Sequence, residues 1–470
     1  MMKMLAVPSA SLARGVRIRG VEIRRAASRS FLCNFSTAVQ YSSSSHPGHD
    51  DGGGGGAAAD DDFDVVLDRR TSPVGSAKWR KYGEDVIPMW VADMDFKSPP
   101  SVRQAIADFA QDGVYGYSRP PKELVDAIVR YLRDKHRVIA QPNHIVLLPS
   151  MMEGIQCALA ATGKEGDNVM VASPVYYPFF SAPTAARMRT NIVPMRRADD
   201  DDAATPMWSF DWDAMDRAVN ERTKYFLLCS PQNPTGRCFE RKEIEDLVSF
   251  CDKHALTLLS DEIHCDLILK AGAQHHSVAS FFNDENAALS SAALNRTMTF
   301  MAPSKTYNVA GVPAAFAIIP NPAHRRLVKE AAAAKLPPIT CFGYVCSMAC
   351  YGAGGYEDPE AWRMKLVEYL RGNANIVSER LSSKVFCSAG IHLSASFEAT
   401  YLAWLDASSL RQRTGVEPHE FFENAGVGLS DGAPFGADAH LRINFACPRS
   451  VLIEGLNRME RAVAVAGKRD

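Results

Sequence analysis

The chain of 470 residues carries 52 Lys+Arg against 54 Asp+Glu, and a net charge of −2 offers no electrostatic attraction to nucleic acid or an anionic membrane. Hydrophobic residues make up 46%, enough at this length for two domains and a large core, yet no run of about 18 apolar residues would span a bilayer. The 11 cysteines include no C-x-x-C pair; Cys341, Cys346 and Cys350 lie in an apolar stretch and read as buried free thiols in a reducing compartment.

The start of the chain is a different material. Residues 1–49 hold six arginines and one lysine against a single acid, Glu22, with frequent serine and no apolar core of secretory type. This composition predicts an organellar transit peptide, mitochondrial by its arginine content, with a plastid as the alternative. A functionless tail on a cytoplasmic protein is the plainer alternative. Residues 50–62, with glycine from Gly52 to Gly56, predict a flexible linker.

Order is expected from Phe63. Gly83 and Pro88 predict an extended arm over residues 78–96 rather than a helix. Pro99-Pro100 opens a helix to about Gln111, and a second helix is expected over Lys122–His136 after Pro120-Pro121. Ile145-Val146-Leu147-Leu148 reads as a strand, followed by Pro149-Ser150-Met151-Met152 and an apolar helix over residues 155–162. A strand-turn-helix of this form turns free N–H groups and a positive dipole end towards an anion, although Ser150 as a plain N-cap explains it equally well. Val169-Met170-Val171-Ala172 is the next strand and leads to Tyr176, a ring able to stack on a flat ligand or simply to fill core. Asp199 to Asp202 reads as a solvated loop, since four consecutive Asp lack the spacing of a calcium loop.

Three later strands end in polar groups. Tyr225-Phe226-Leu227-Leu228-Cys229 runs into Ser230-Pro231-Gln232-Asn233-Pro234, and Leu256-Thr257-Leu258-Leu259 into Ser260-Asp261-Glu262-Ile263-His264. Arg296-Thr297-Met298-Thr299-Phe300-Met301 runs into Ala302-Pro303-Ser304-Lys305. A helix over 240–254 separates the first two, so strand and helix alternate from Ile145 to Ile319, as in a mostly parallel sheet covered on both faces. In such a sheet ligands bind outside the carboxyl ends of the strands. Asn233, Asp261 and Lys305 therefore converge on one cofactor site. Beyond Pro337-Pro338, long helices precede alternating strands, among them His440-Leu441-Arg442-Ile443-Asn444. There Arg442 points away from the face that Leu441 and Ile443 bury.

The stretches SPQNPTGR, LLSDEIHCDLIL and APSKTYNVAG resemble the pyridoxal-phosphate (PLP) enzymes of fold type I, the class I/II aminotransferase superfamily. Pro88-Met89-Trp90-Val91-Ala92-Asp93-Met94-Asp95-Phe96 narrows the resemblance to the MalY/PatB type of cystathionine β-lyase and C–S lyase, over residue 63 to the C-terminus. The resemblance implies an α/β fold: a large PLP-binding domain with a mostly parallel sheet (residues 111–335) and a smaller α+β domain (336–470) joined by the arm 63–110.

It also implies roles. Lys305 would form the Schiff base with pyridoxal 5'-phosphate and act as general base at the substrate Cα. Asp261 would pair with the pyridine nitrogen, Asn233 with the ring hydroxyl oxygen, and Tyr176 would cover the ring face. Ser304, the Met151 and Met152 amides and Tyr117 of a neighbouring subunit would hold the phosphate, which implies a homodimer with shared active sites. Arg442 would grip the substrate carboxylate bidentately, with Ala92 also at the substrate; the plain reading of a strand arginine is surface pairing.

Two departures matter. Aminotransferases commonly place a tyrosine three residues after the aspartate, where this chain has His264, and an arginine about eight residues after the lysine, where it reads Gly311-Val312-Pro313. Both match the lyase branch. The expected function is β-elimination of cystathionine or a related cysteine S-conjugate to a thiol, pyruvate and ammonia. An aminotransferase of the same fold is the alternative, and a non-catalytic binding protein the third.

Overall fold

The computed structural model describes residues 62–71, 74–198, 208–284, 289–394 and 397–466. All fall in one unit, Gly56–Asp470. The transit peptide, nearly all of the glycine linker and the Asp199–Asp202 run lie outside the described residues.

A seven-stranded sheet carries the fold. Its strands are β1 (Ile145–Leu148), β2 (Asn168–Ser173), β3 (Arg189–Pro194), β4 (Thr223–Cys229), β5 (Thr257–Asp261), β6 (Thr297–Met301) and β7 (Ala315–Ile318). Their order is β1-β7-β6-β5-β4-β2-β3, parallel throughout except that β7 runs against both neighbours. Central strands covered on both faces read as unbroken apolar runs. In β4, Phe226 and Leu228 face one core with Ile244 and Leu247 of the helix Arg241–Lys253. Tyr225 and Leu227 face the other, with Ile155 and Leu159 of the helix Met151–Thr162. That helix starts at Met151 rather than Ile155, because the Ser150 side chain accepts from Glu153 N at 3.4 Å and caps it.

A third core joins the two ends of the chain. Met89, Met94 and Phe96 pack with Leu366 and Leu370 of the helix Glu360–Leu381, and with Leu452 and Leu456 of the helix Arg449–Ala466. An antiparallel sheet backs it: β8 (His392–Leu393), β9 (Leu402–Asp406), β10 (Ser430–Asp431) and β11 (His440–Asn444), in the order β8-β9-β11-β10. Ile339, Tyr344 and Tyr351 instead pack with Leu124, Ile128 and Phe316, on the side of the large sheet.

The arm is not extended throughout. Ala77–Arg80 forms one helical turn, and Ile87–Pro88 pairs in parallel with Val427–Gly428. The turn lets neighbouring residues reach one carboxylate: Lys78 Nζ lies 2.8 Å from Asp95 Oδ2 and Trp79 Nε1 2.7 Å from Asp95 Oδ1. In a strand they would point to opposite faces. No helix among the described residues is long and apolar enough to cross a membrane.

Candidate active site

Strands β4, β5 and β6 are adjacent and parallel, so their carboxyl ends share one edge of the sheet. Asn233 follows β4, Asp261 closes β5, and Lys305 sits in the turn after β6. One cavity is lined by these three and by Tyr176, His264 and Ser304. Met151 and Met152, at the start of their helix, and Ala92 of the arm complete the set. Every cofactor and substrate candidate from the sequence except Arg442 and Tyr117 therefore lines this cavity.

Arg442 lies beside it. It is 4% exposed, and β11 turns it inward rather than towards solvent, so surface pairing does not describe it. Its guanidinium donates to Asn233 Oδ1 and to the Trp90 carbonyl, each at 2.9 Å, and stands over the Phe435 ring. Its Nε is buried without a hydrogen-bond partner, and no ion pair joins it to a carboxylate among the described residues. Tyr117 stands fully exposed in this single chain and lines no part of the cavity.

Electrostatics set these groups apart from ordinary surface residues. Burial holds the Lys305 amine down to about 8; Asp93 and Asp261 oppose the shift and Arg442 reinforces it. Lys305 Nζ donates to the Ala92 carbonyl at 2.7 Å. Burial pushes Asp261 up to about 7, and its carboxylate accepts from Ile263 N at 3.0 Å without an ion pair among the described residues. Burial and the cations Lys305 and Arg442 push His264 down to about 3, so its ring is neutral at physiological pH. Burial holds Arg442 at about 10.

Several supporting residues gave no local signal in the sequence. Tyr401 donates to the Ala92 carbonyl at 3.0 Å and meets the His264 ring edge-on at 5.9 Å between centroids. Behind Lys305, Thr306 donates to Asp266 Oδ2 at 3.2 Å, an oxygen that also accepts from Tyr131 at 2.8 Å. Ser150 and Pro313, read from the sequence as a helix cap and as a departure from the aminotransferase pattern, also line the cavity, with Cys229.

These groups suit the cofactor expected from the sequence. A buried carboxylate lacking a cation matches a protonated pyridine nitrogen. The amides opening the 12-residue helix Met151–Thr162, with the Ser304 hydroxyl, match a phosphate. A buried guanidinium lacking an anion matches a carboxylate.

Residues 84–459 match the family described as aminotransferase class I and II. Cystathionine beta-lyase PatB of Bacillus subtilis is 30% identical over 413 residues, which cover 85% of this chain and 100% of that protein. The crystal structure of OvoB superposes with a TM-score of 0.76 at 35% identity, covering 86% of this chain and 99% of that one. A PLP-bound C–S lyase from Staphylococcus hominis gives 0.75 at 27% identity, over 86% and 99% of the two chains. With four-fifths of its length matched and its strand-end polar residues gathered in one cavity, the chain belongs to the aminotransferase class I and II family.

Proposed function

We propose that this chain is a PLP-dependent C–S lyase that cleaves cystathionine or a related cysteine S-conjugate, with water, to a thiol, pyruvate and ammonia. One observation carries the reading: a buried Arg442 without a carboxylate partner lies beside the cavity that holds Lys305 and Asp261. Relatives named cystathionine beta-lyase and C–S lyase support it.

Bound in the cavity, pyridoxal 5'-phosphate supplies an electron sink for the pair released at the substrate Cα. Arg442 binds the substrate α-carboxylate through its planar fork, and the Asn233 contact keeps that fork oriented. Lys305 takes the Cα proton; an amine held near 8 releases and accepts protons readily around neutral pH. Asp261 would pair with the cofactor's ring nitrogen, and neutral His264 adds no competing cation beside it. The thiolate then leaves Cβ because it is a far better leaving group than hydroxide or carbon.

A homodimer is part of this proposal. Residues 113–120 are exposed throughout, with Val114, Tyr115 and Tyr117 among them, and a second copy would bring Tyr117 to its neighbour's phosphate site. Import into mitochondria is proposed on the arginine-rich, acid-poor residues 1–49 alone, and a fluorescent fusion of residues 1–62 that stays diffuse would remove it.

Two incubations test the activity. Cystathionine alone should yield pyruvate, ammonia and free thiol, and alanine, which lacks a leaving group, almost nothing. Glutamate formed from an amino acid plus 2-oxoglutarate, with no pyruvate from cystathionine, would establish an aminotransferase instead.

A further inference from the structure

The family match begins at residue 84, yet the chain just before it is tied to the active site. Between them lies the segment 90–96, which is neither helix nor strand. Irregular backbone of this kind must have its carbonyls satisfied individually. Trp90 O accepts from Arg442 and from Ser430 Oγ, each at 2.9 Å, and Val91 O from Asn444 at 2.5 Å. Ala92 O accepts from Lys305 and Tyr401, at 2.7 and 3.0 Å. Met94 O accepts from Asn308 at 3.0 Å and from Arg69 at 2.9 Å.

Arg69 belongs to the chain preceding the family match, and it is not alone. Its guanidinium also lies 3.9 Å from Asp93 and 3.7 Å from Asp95. Lys78, fully buried, pairs with Asp95 at 2.8 Å and reaches the Asp93 carbonyl at 3.4 Å. Arg70 donates to the carbonyls of Trp79, Tyr82, Gly83, Glu84 and Val86, at 2.6 to 3.4 Å, and lies over the Trp79 ring. Phe63 anchors the other end against Phe96, Trp362 and Tyr369.

We propose that residues 63–71 and the helical turn Ala77–Arg80 form a positioning strap for the active site. In it, Arg69 and the buried Lys78–Asp95 pair hold the segment 90–96 so that the Ala92 carbonyl stays against Lys305. The strap rests on the reading that Lys305 is the reacting lysine. Two physical points support it. The strap grips a segment that touches both Lys305 and Arg442, the two groups that must be held in register across the cavity. Its charges are also arranged to be strict: Asp95 receives Lys78 and Trp79 on its two oxygens, and removing either charge of a buried pair leaves the other uncompensated. Arg69, Lys78 and Asp95 are positioning residues that act through the backbone of Ala92.

The test uses the full-length chain loaded with pyridoxal phosphate, as Arg69→Gln, Arg69→Lys and Lys78→Met. Hydrogen exchange is read on peptides spanning residues 89–96, with and without cofactor, beside kcat, KM and bound cofactor. Arg69→Gln should keep its cofactor and speed exchange in that segment alone. A reacting group displaced by a fraction of an ångström should lower kcat/KM by about 10- to 100-fold. Arg69→Lys should recover part of both effects, and Lys78→Met should reproduce the local loosening more strongly. Unchanged exchange over 89–96 in Arg69→Gln overturns the proposal. So does faster exchange throughout the chain, because the strap would then only stabilise the fold. If wild-type protein releases no thiol from cystathionine, the lyase reading fails, while the exchange measurement still decides the strap.

Discussion

Arg442 Nη1 donates to Asn233 Oδ1 at 2.9 Å, across 209 residues of sequence. One partner comes from β11 of the small sheet and the other from the loop after β4 of the large one. The contact places the proposed carboxylate anchor directly against the proposed cofactor contact, so substrate and ring are held to a common reference.

Replacing Arg442 should therefore damage substrate capture first. A charge-assisted hydrogen bond contributes about 1.5–3 kcal/mol, so Arg442→Lys, which loses the fork, should lower kcat/KM for cystathionine by about 10- to 150-fold. Steady-state kinetics should show the loss mainly in KM while the cofactor stays bound. An unchanged KM would place the carboxylate elsewhere.

Lys305→Ala removes the proposed general base. Turnover should fall by at least the ~10²–10⁴ typical of that loss, even where the cofactor is retained non-covalently. Borohydride treatment of the wild-type holoenzyme should leave the cofactor on the peptide that contains Lys305. A label on another lysine would refute the assignment.

The apoprotein should register Asp261 in its pH dependence. Burial raises its pKa in the folded state to about 7, against about 3.9 for a free Asp, so the folded state binds the extra proton between those values. Stability from this group is thus lost as pH rises from about 4 to 7, and the loss is complete above that range. Asp261→Asn removes the titration. By chemical denaturation, the variant apoprotein should gain on wild type over this window by an amount on the order of a few kcal/mol, while losing activity. A stability difference that stays flat from pH 4 to 8 would contradict the burial of this carboxylate.

Phosphate anchoring should be improvable. Pro313 is exposed at the cavity wall, eight residues after Lys305, at the position where the resemblance to aminotransferases leads one to expect an arginine. Pro313→Arg adds a charge-assisted contact worth about 1.5–3 kcal/mol if it reaches the phosphate. Dialysis against a cofactor-trapping amine should then strip pyridoxal phosphate from the variant at least about tenfold more slowly, by the same estimate. Equal rates would mean that the Met151–Thr162 helix end and Ser304 already saturate the phosphate.

The large sheet and its working edge are legible in local sequence pattern alone. Short strands with apolar centres, most of them followed by a helix, point to a mostly parallel sheet, and in such a sheet the polar residues that follow the parallel strands emerge on one edge. Asn233, Asp261 and Lys305 could be brought together on that argument because their positions depend on local pattern and on chain direction. Arg442 could not. Alternation in β11 separates Arg442 from Leu441 and Ile443, but it does not say which face turns inward. That was decided by β9 and β10, where Arg442 sits opposite Trp404 and Ser430 and over Phe435. The same holds for Ala92, whose carbonyl meets Lys305 and Tyr401 from 213 and 309 residues away. It holds also for the turn at Lys78 and Trp79, which the nearby breakers Gly83 and Pro88 hide from a sequence reading. Such contacts carry no local periodicity, since they depend on where three separate cores place their surfaces once the whole chain has collapsed.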